Sequence, residues 1–369
     1  MIPGLLLSKN DLLAKSVDSP DVNTWFEIYK LLNLNVTLID RCDHVVMPFH
    51  FKNDFPMVRD LDGFNKTYME VAVERARSLI AHSKAINKPI VILYSGGIDS
   101  TLVVISFLLA DREACRDITV AMNSASLREN PRFYQQHVRK HFRLTGSEKS
   151  LDLLDGNWVM VGGEFNDQLF GSDIYRNIID FGGIEYLFQP YTERNVTAFF
   201  EHVGISAASA KAWYDLVDQQ IKATRLCEIV DVKDFFWWLN FCFKWQSVYY
   251  RIVARSTYPG LLTREFLDQH YHQFYLTEDF QRWSMLNPDK KIGNTWQSHK
   301  KIAKEAIYEF TRDQDYYDYK TKHGSLSGVF RQRAVPDALD EAYQKITLTD
   351  AAVYYQPENS FREYLDGRI

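Results

Sequence analysis

Cysteine is scarce in this chain: Cys42, Cys115, Cys227 and Cys242 are the only four in 369 residues. They are scattered, with no CxxC pair and no His/Cys cluster at metal-ligand spacing. That speaks against a structural zinc site or a disulfide framework and points to a reducing, cytoplasmic setting. Long hydrophobic runs are missing too. The most apolar later stretch, Phe235–Phe243, is closed off by Asp234 and Lys244, far short of the roughly 20 residues that a spanning helix needs. It reads as a buried helix, and no membrane partner is expected. Leu5–Leu7 lacks a charged n-region and a long apolar core, so no signal peptide is expected. Neither charge dominates: 43 Lys and Arg face 48 Asp and Glu. Such a balance gives no nucleic-acid coat and no polybasic anchor, although it leaves a local basic groove open.

What the chain does have is enough apolar matter for a large core, with 46% hydrophobic and 14% aromatic residues. Residues 1–85 read as a small α+β lead-in. Asp18–Asp21 opens a helix through Trp25, Phe26, Tyr29 and Leu32, Leu34–Ile39 alternates like a short strand, and Thr67–His82 has helical spacing. From Pro89 the pattern changes. Pro89–Tyr94 is a continuous apolar run, as expected of a parallel strand covered on both faces. Thr101–Ala110 follows as a helix, Ile118–Met122 as a second strand, Arg132–Phe142 as a second helix and Asn157–Val161 as a third strand. This alternation predicts an α/β, doubly wound, mostly parallel sheet. From about Asn195 to Phe310 the chain reads as mainly helical and dense in aromatics, and the tail after about Arg331 is weakly patterned. The expected division is a lead-in over 1–85, a nucleotide and substrate part over 86–335, and a tail over 336–369. No Pro/Gly/Ser-rich linker, repeat or low-complexity tract separates them.

Tyr94-Ser-Gly-Gly-Ile-Asp-Ser-Thr101 stands where the first strand gives way to a helix. Gly96 and Gly97 let the backbone approach a phosphate, and the helix N-terminus adds partial positive charge. Ser95 and Ser100 offer hydroxyls. Asp99 repels a bare anion, so its presence calls for a magnesium ion bridging the phosphates. Neither GxxxxGK[ST] nor GxGxxG is present. A second glycine turn, Val161-Gly-Gly-Glu-Phe-Asn-Asp167, follows the third strand. It carries Gly162 and Gly163, with Glu164 and Asp167 three residues apart at the carboxyl end of the sheet. Open α/β folds bind ligands at that end.

The segment SGGIDS resembles the phosphate loop of the N-type ATP pyrophosphatases, whose fold is that of the adenine nucleotide alpha hydrolases. The segment GGEFNDQLFGSD resembles the SGEGSDELFGGY element of the asparagine and β-lactam synthetases within that superfamily. The resemblance covers roughly residues 88–330. It implies ATP and magnesium as cofactors, adenylation of a substrate carboxylate with release of pyrophosphate, and attack by an amine or ammonia. Asp99 and Asp167 are then the magnesium ligands, and Glu164 serves the amine attack. Met122 and Asn123, at the end of the second strand, line the adenosine pocket. A late lysine, Lys322 or its competitor Lys320, neutralises developing charge. The second element departs from the pattern at Gly163, Phe165, Asn166, Gln168, Ser172 and Asp173, which leaves the substrate open.

Glutamine-using asparagine synthetases begin with Met-Cys. Here Ile stands at position 2, and about 85 residues precede the loop, so no glutaminase activity is expected. Nitrogen then has to come from free ammonia, a separate glutaminase or an amine on the substrate. Lys244 and Gln246, in the aromatic run 234–251, stand near the family's substrate-pocket floor, but the run reads mainly as core. The basic helix Arg132–Arg143 reads as a solvated face, so nucleic acid is not the expected partner, though it stays open. Two rival readings remain: a nucleobase- or tRNA-modifying pyrophosphatase, and a non-catalytic nucleotide-binding protein.

Overall fold

A computed structural model describes residues 40–43, 53–146, 150–253, 256, 258 and 261–320. The helix expected near residues 18–32, the strand Leu34–Ile39, Lys322 and the tail 336–369 lie outside these residues. The chain divides into two compact units. One holds Lys66–Glu164, Ser256–Thr277 and the segment from Gln297 onward; the other holds Phe165–Arg255, Glu278–Trp296 and the segment before Lys66.

The first unit is α/β. Its five strands are β1 (Ile90–Leu93), β2 (Thr119–Met122), β3 (Arg143–Gly146), β4 (Val159–Gly162) and β5 (Tyr271–Gln273). They form one parallel sheet in the order β3-β2-β1-β4-β5. The central strands are the apolar ones: Ile90, Val91, Ile92, Val120, Ala121, Val159, Met160 and Val161 are buried, as a strand covered on both faces must be. Val91 pairs with Thr119 on one side and Met160 on the other. Two edge strands were not foreseen. β3 follows directly on the helical run 131–141, and β5, Tyr-His-Gln, lies inside the region read as mainly helical. Neither has an apolar run, because an edge strand needs only one paired side.

Helix α1 (Tyr68–Ala85) begins at a capping box. Thr67 Oγ1 accepts from the Glu70 amide, and the Glu70 carboxylate accepts from the Thr67 amide at 2.7 Å. α1 packs on α2 (Ile98–Ala110), so it belongs with the sheet although it lies within the expected lead-in. α2 is buried from Ile98 to Leu108 except at Asp99, which agrees with its almost wholly apolar sequence. α3 (Ser124–Glu129) follows β2. The expected helix Arg132–Phe142 is a composite of Pro131–Phe133, a π-helical turn Tyr134–Val138 and Arg139–His141. Its basic residues are in part paired: Arg132 lies 3.0 Å from Asp313 and 2.7 Å from Asp315. α4 (Arg264–His270) leads into β5, α5 (Lys301–Thr311) packs on α1 and α2, and α6 (Gln314–Tyr319) packs on α5. The whole is compatible with a doubly wound α/β fold.

The second unit is helical, with Ile174–Gly182, Glu193–His202, Ala207–Thr224, Val232–Phe243, Trp245–Val253 and Glu278–Leu286 as its main helices. Every residue of Val232–Phe243 is buried, which matches the reading of this aromatic stretch as core. The Arg41 guanidinium stacks 4.3 Å from the Trp245 ring and donates to the Phe241 carbonyl at 3.0 Å. Gln246 accepts from the Asp54 amide at 2.9 Å. No helix among the described residues is long and apolar enough to cross a membrane.

Candidate functional site

The strand order reverses between β1 and β4: the chain leaves β1 toward β2 and β3, then returns to the other side of β1. Such a switch point opens a crevice at the carboxyl ends of the two strands, where open α/β sheets take their ligands. Both glycine turns singled out in the sequence begin there, one after Leu93 and one at Gly162.

The first turn is a tight loop closed on itself. Ser95 Oγ and Ser100 Oγ lie 3.0 Å apart, the Ser95 amide donates to Ser100 Oγ at 3.2 Å, and the Gly97 amide donates to Ser95 Oγ at 3.3 Å. Gly97 caps α2 without any side-chain hydrogen bond. A start of this 13-residue helix with no side-chain cap suits an anion. Gly96 has φ +80°. A Cβ there would fall 2.1 Å from the Ser126 carbonyl oxygen and 2.6 Å from Glu129 Cβ. Only glycine lets the loop lean on α3 so closely.

The second turn comes against the first. A Cβ on Gly163 would lie 3.4 Å from both Cα and N of Ser100, so its backbone touches the opening turn of α2. Gln273, buried on β5, supports it. Its Oε1 accepts from the Glu164 amide at 3.2 Å and would lie 2.5 Å from a Cβ on Gly162, and its Nε2 donates to the Tyr271 hydroxyl. Ser95, Gly96, Gly97, Asp99, Ser100, Gly162, Gly163 and the half-buried Glu164 are thus gathered at one end of β1 and β4. Asp167 lies in the first turn of the short helix Asn166–Phe170, which belongs to the other unit.

Met122 is buried at the carboxyl end of β2, beside β1. Asn123 is also buried, and its side chain is a cap: Oδ1 accepts from the Ser126 amide at 3.0 Å and from Ser126 Oγ at 3.2 Å. Its Oδ1 is thus committed to the cap of α3.

No protein-family model, curated protein or solved structure matches this chain.

Three buried lysines, Lys300, Lys304 and Lys320, stand at the head of α5, within it and at the end of α6. Lys320, one of the two late lysines expected to act, is 2% exposed and ion-paired with Glu129, the residue on which Gly96 leans. Lys304 donates to the Gln297 and Lys320 carbonyls, and burial pushes its ammonium down to about 8. The third, Lys300, was not anticipated. It stands just before α5 in the left-handed conformation, φ +58°, and its Nζ lies 2.7 and 2.6 Å from the two carboxylate oxygens of Asp99. The Asp99 carbonyl accepts from the buried Tyr275 hydroxyl at 2.8 Å. Nothing local in His299-Lys300-Lys301 distinguishes the middle residue, since the contact spans 201 positions and exists only through the packing of α5 on α2.

As a magnesium ligand Asp99 is therefore only half suited: its carboxylate reaches toward a cation, but that cation is an ammonium. Among the described residues no group of three or more His, Cys, Asp or Glu side chains is placed to hold a metal ion. Arrangements of one or two carboxylates completed by phosphate oxygens and water remain the usual way of holding magnesium.

Proposed function

We propose that the chain is an ATP-dependent, AMP-forming ligase of the asparagine synthetase kind, with the fold of the adenine nucleotide alpha hydrolases. The observation that carries this reading is the contact of two glycine turns at the switch point, with the Gly163 backbone against Ser100 and the uncapped start of α2 between them. A triphosphate fits such a place because backbone amides, serine hydroxyls and a helix N-terminus converge there, and the buried lysines around it supply balancing charge.

In this reading a substrate carboxylate attacks the α-phosphorus of ATP, the bond to pyrophosphate breaks, and an amine or ammonia displaces AMP from the acyl carbon. Glu164 takes the proton from the attacking nitrogen, and the Gln273–Glu164 hydrogen bond orients the turn that carries it. Lys300 joins Lys320 and Lys322 as a lysine able to offset charge on the leaving pyrophosphate. Asp99 would hold a magnesium ion bound with the nucleotide, and the ion would lower the repulsion between phosphates and carboxylate. A reducing, cytoplasmic setting goes with this reading, in which the Cys42 and Cys242 sulfurs stand 3.7 Å apart as free thiols.

The test is pyrophosphate release from ATP and magnesium in the presence of pools of amino acids, small carboxylates, amines and RNA. Release that depends on a carboxylate is expected. RNA-dependent release would favour a base- or tRNA-modifying enzyme instead, and nucleotide binding without release in any pool would favour a non-catalytic binding protein.

A further inference from the structure

Lys300 sits where lysine is costly. Its side chain is 1% exposed, and it caps the N-terminus of α5, the positive end of that helix, where a second positive charge is disfavoured. Its backbone is left-handed, a conformation that residues with a Cβ seldom take. Burying an ammonium demands a compensating partner, and both oxygens of Asp99 supply it. Asp99, by contrast, is 25% exposed and lies at the start of α2, where a carboxylate is favoured without help. The pair is therefore lopsided: the ammonium is buried, whereas the carboxylate keeps an exposed flank. Both oxygens of the carboxylate face the ammonium, at 2.7 and 2.6 Å, so an ion arriving there alone would meet the ammonium at short range.

We propose that Lys300 and a divalent cation exclude each other at Asp99, so that metal enters this site only together with a polyphosphate, whose oxygens take over Lys300. This rests on the phosphate-loop reading. The exchange moves no bond and no proton. The ammonium passes from a carboxylate to phosphate oxygens, and the freed carboxylate turns to the metal that arrives with them. Charge balance supports it. A metal alone would bring two positive charges beside the Lys300 ammonium, whereas a metal on a triphosphate brings a net negative charge that Lys300 can meet. Lys300 would then report that a nucleotide is present, and Asp99 would hold metal only when there are phosphates to bridge.

Manganese binding, followed by the electron paramagnetic resonance signal of the free ion, tests this on the full chain. The native protein alone is expected to show no stoichiometric site, and to gain one when α,β-methylene-ATP is added. Lys300→Met alone is expected to bind manganese at least tenfold more tightly than the native protein, and Lys300→Met/Asp99→Asn to lose that gain. Lys300→Gln serves as a second variant, and the native comparison with and without the analogue needs no variant at all. Tight manganese binding by the native protein alone, unchanged in Lys300→Met and with analogue binding intact, overturns the exclusion. Failure of the analogue to bind with magnesium in calorimetry removes the phosphate-loop reading and the proposal with it.

Discussion

Gly96 and Gly97 are neighbours in one loop, yet the same substitution should act chiefly on stability at the first and on ligand binding at the second. At Gly96 an alanine has to adopt φ +80°, which costs roughly 1–2 kcal/mol for a residue with a Cβ. Its methyl group would also meet the Ser126 carbonyl oxygen at 2.1 Å and Glu129 Cβ at 2.6 Å. The first is backbone in a helix capped by Asn123 and cannot swing aside, so α3 or the loop has to move, at about 1–3 kcal/mol for an overpacked contact. Gly96→Ala should therefore lose about 2–5 kcal/mol, a large part of the 5–15 kcal/mol or so that a folded domain has in total. Gly97 is different. Its φ of −72° suits any residue, and a Cβ would meet only Ser95 Oγ at 3.4 Å. Alanine there should cost about 1 kcal/mol, chiefly because it is a poorer N-cap than glycine. In the proposed site, however, its methyl group stands where phosphate approaches the backbone. Urea denaturation of both variants, with calorimetric titration of α,β-methylene-ATP, separates the two effects. Gly96→Ala with an unchanged midpoint would refute the close packing of loop on α3. Gly97→Ala binding the analogue as tightly as the native protein would refute phosphate contact at this glycine.

Asp99→Ala should lower stability as well as activity, by about 3 kcal/mol, because it takes a carboxylate partner away from the buried Lys300 ammonium. Asp99→Ala/Lys300→Met should recover most of that loss in denaturant titrations without restoring activity, and additive losses would count against the pair. Glu164→Gln should cut amide formation by about 100-fold or more while carboxylate-dependent exchange of labelled pyrophosphate into ATP continues; equal loss of both would assign Glu164 to the first half-reaction instead. Burial, followed by the nearby Arg75 charge, pushes His272 down to about 3. Its neutral form is thus kept in the fold while the unfolded chain takes a proton near pH 6.5, so stability should fall as pH drops from about 6.5 toward 3. His272→Gln should flatten that part of the pH–stability curve, and an unchanged slope would remove His272 from the cause.

The order of the central elements was legible in the chain. Strands buried on both faces have to be apolar throughout, so β1, β2 and β4 stand out, and α2 is almost wholly apolar for the same reason. Both glycine turns were legible as well, because a backbone that must approach another closely leaves its mark as glycine. The edge strands β3 and β5 were not, since pairing on one side alone asks no such composition of Arg-Leu-Thr-Gly or Tyr-His-Gln. Nor was the place of Lys300. A lysine beside another lysine at the head of a helix looks solvated, and only the packing of α5 on α2 buries it against Asp99. Local chemistry is written in neighbouring residues, whereas a charge pair closed across 200 positions is chosen by where two helices meet, and that is decided by the whole core at once.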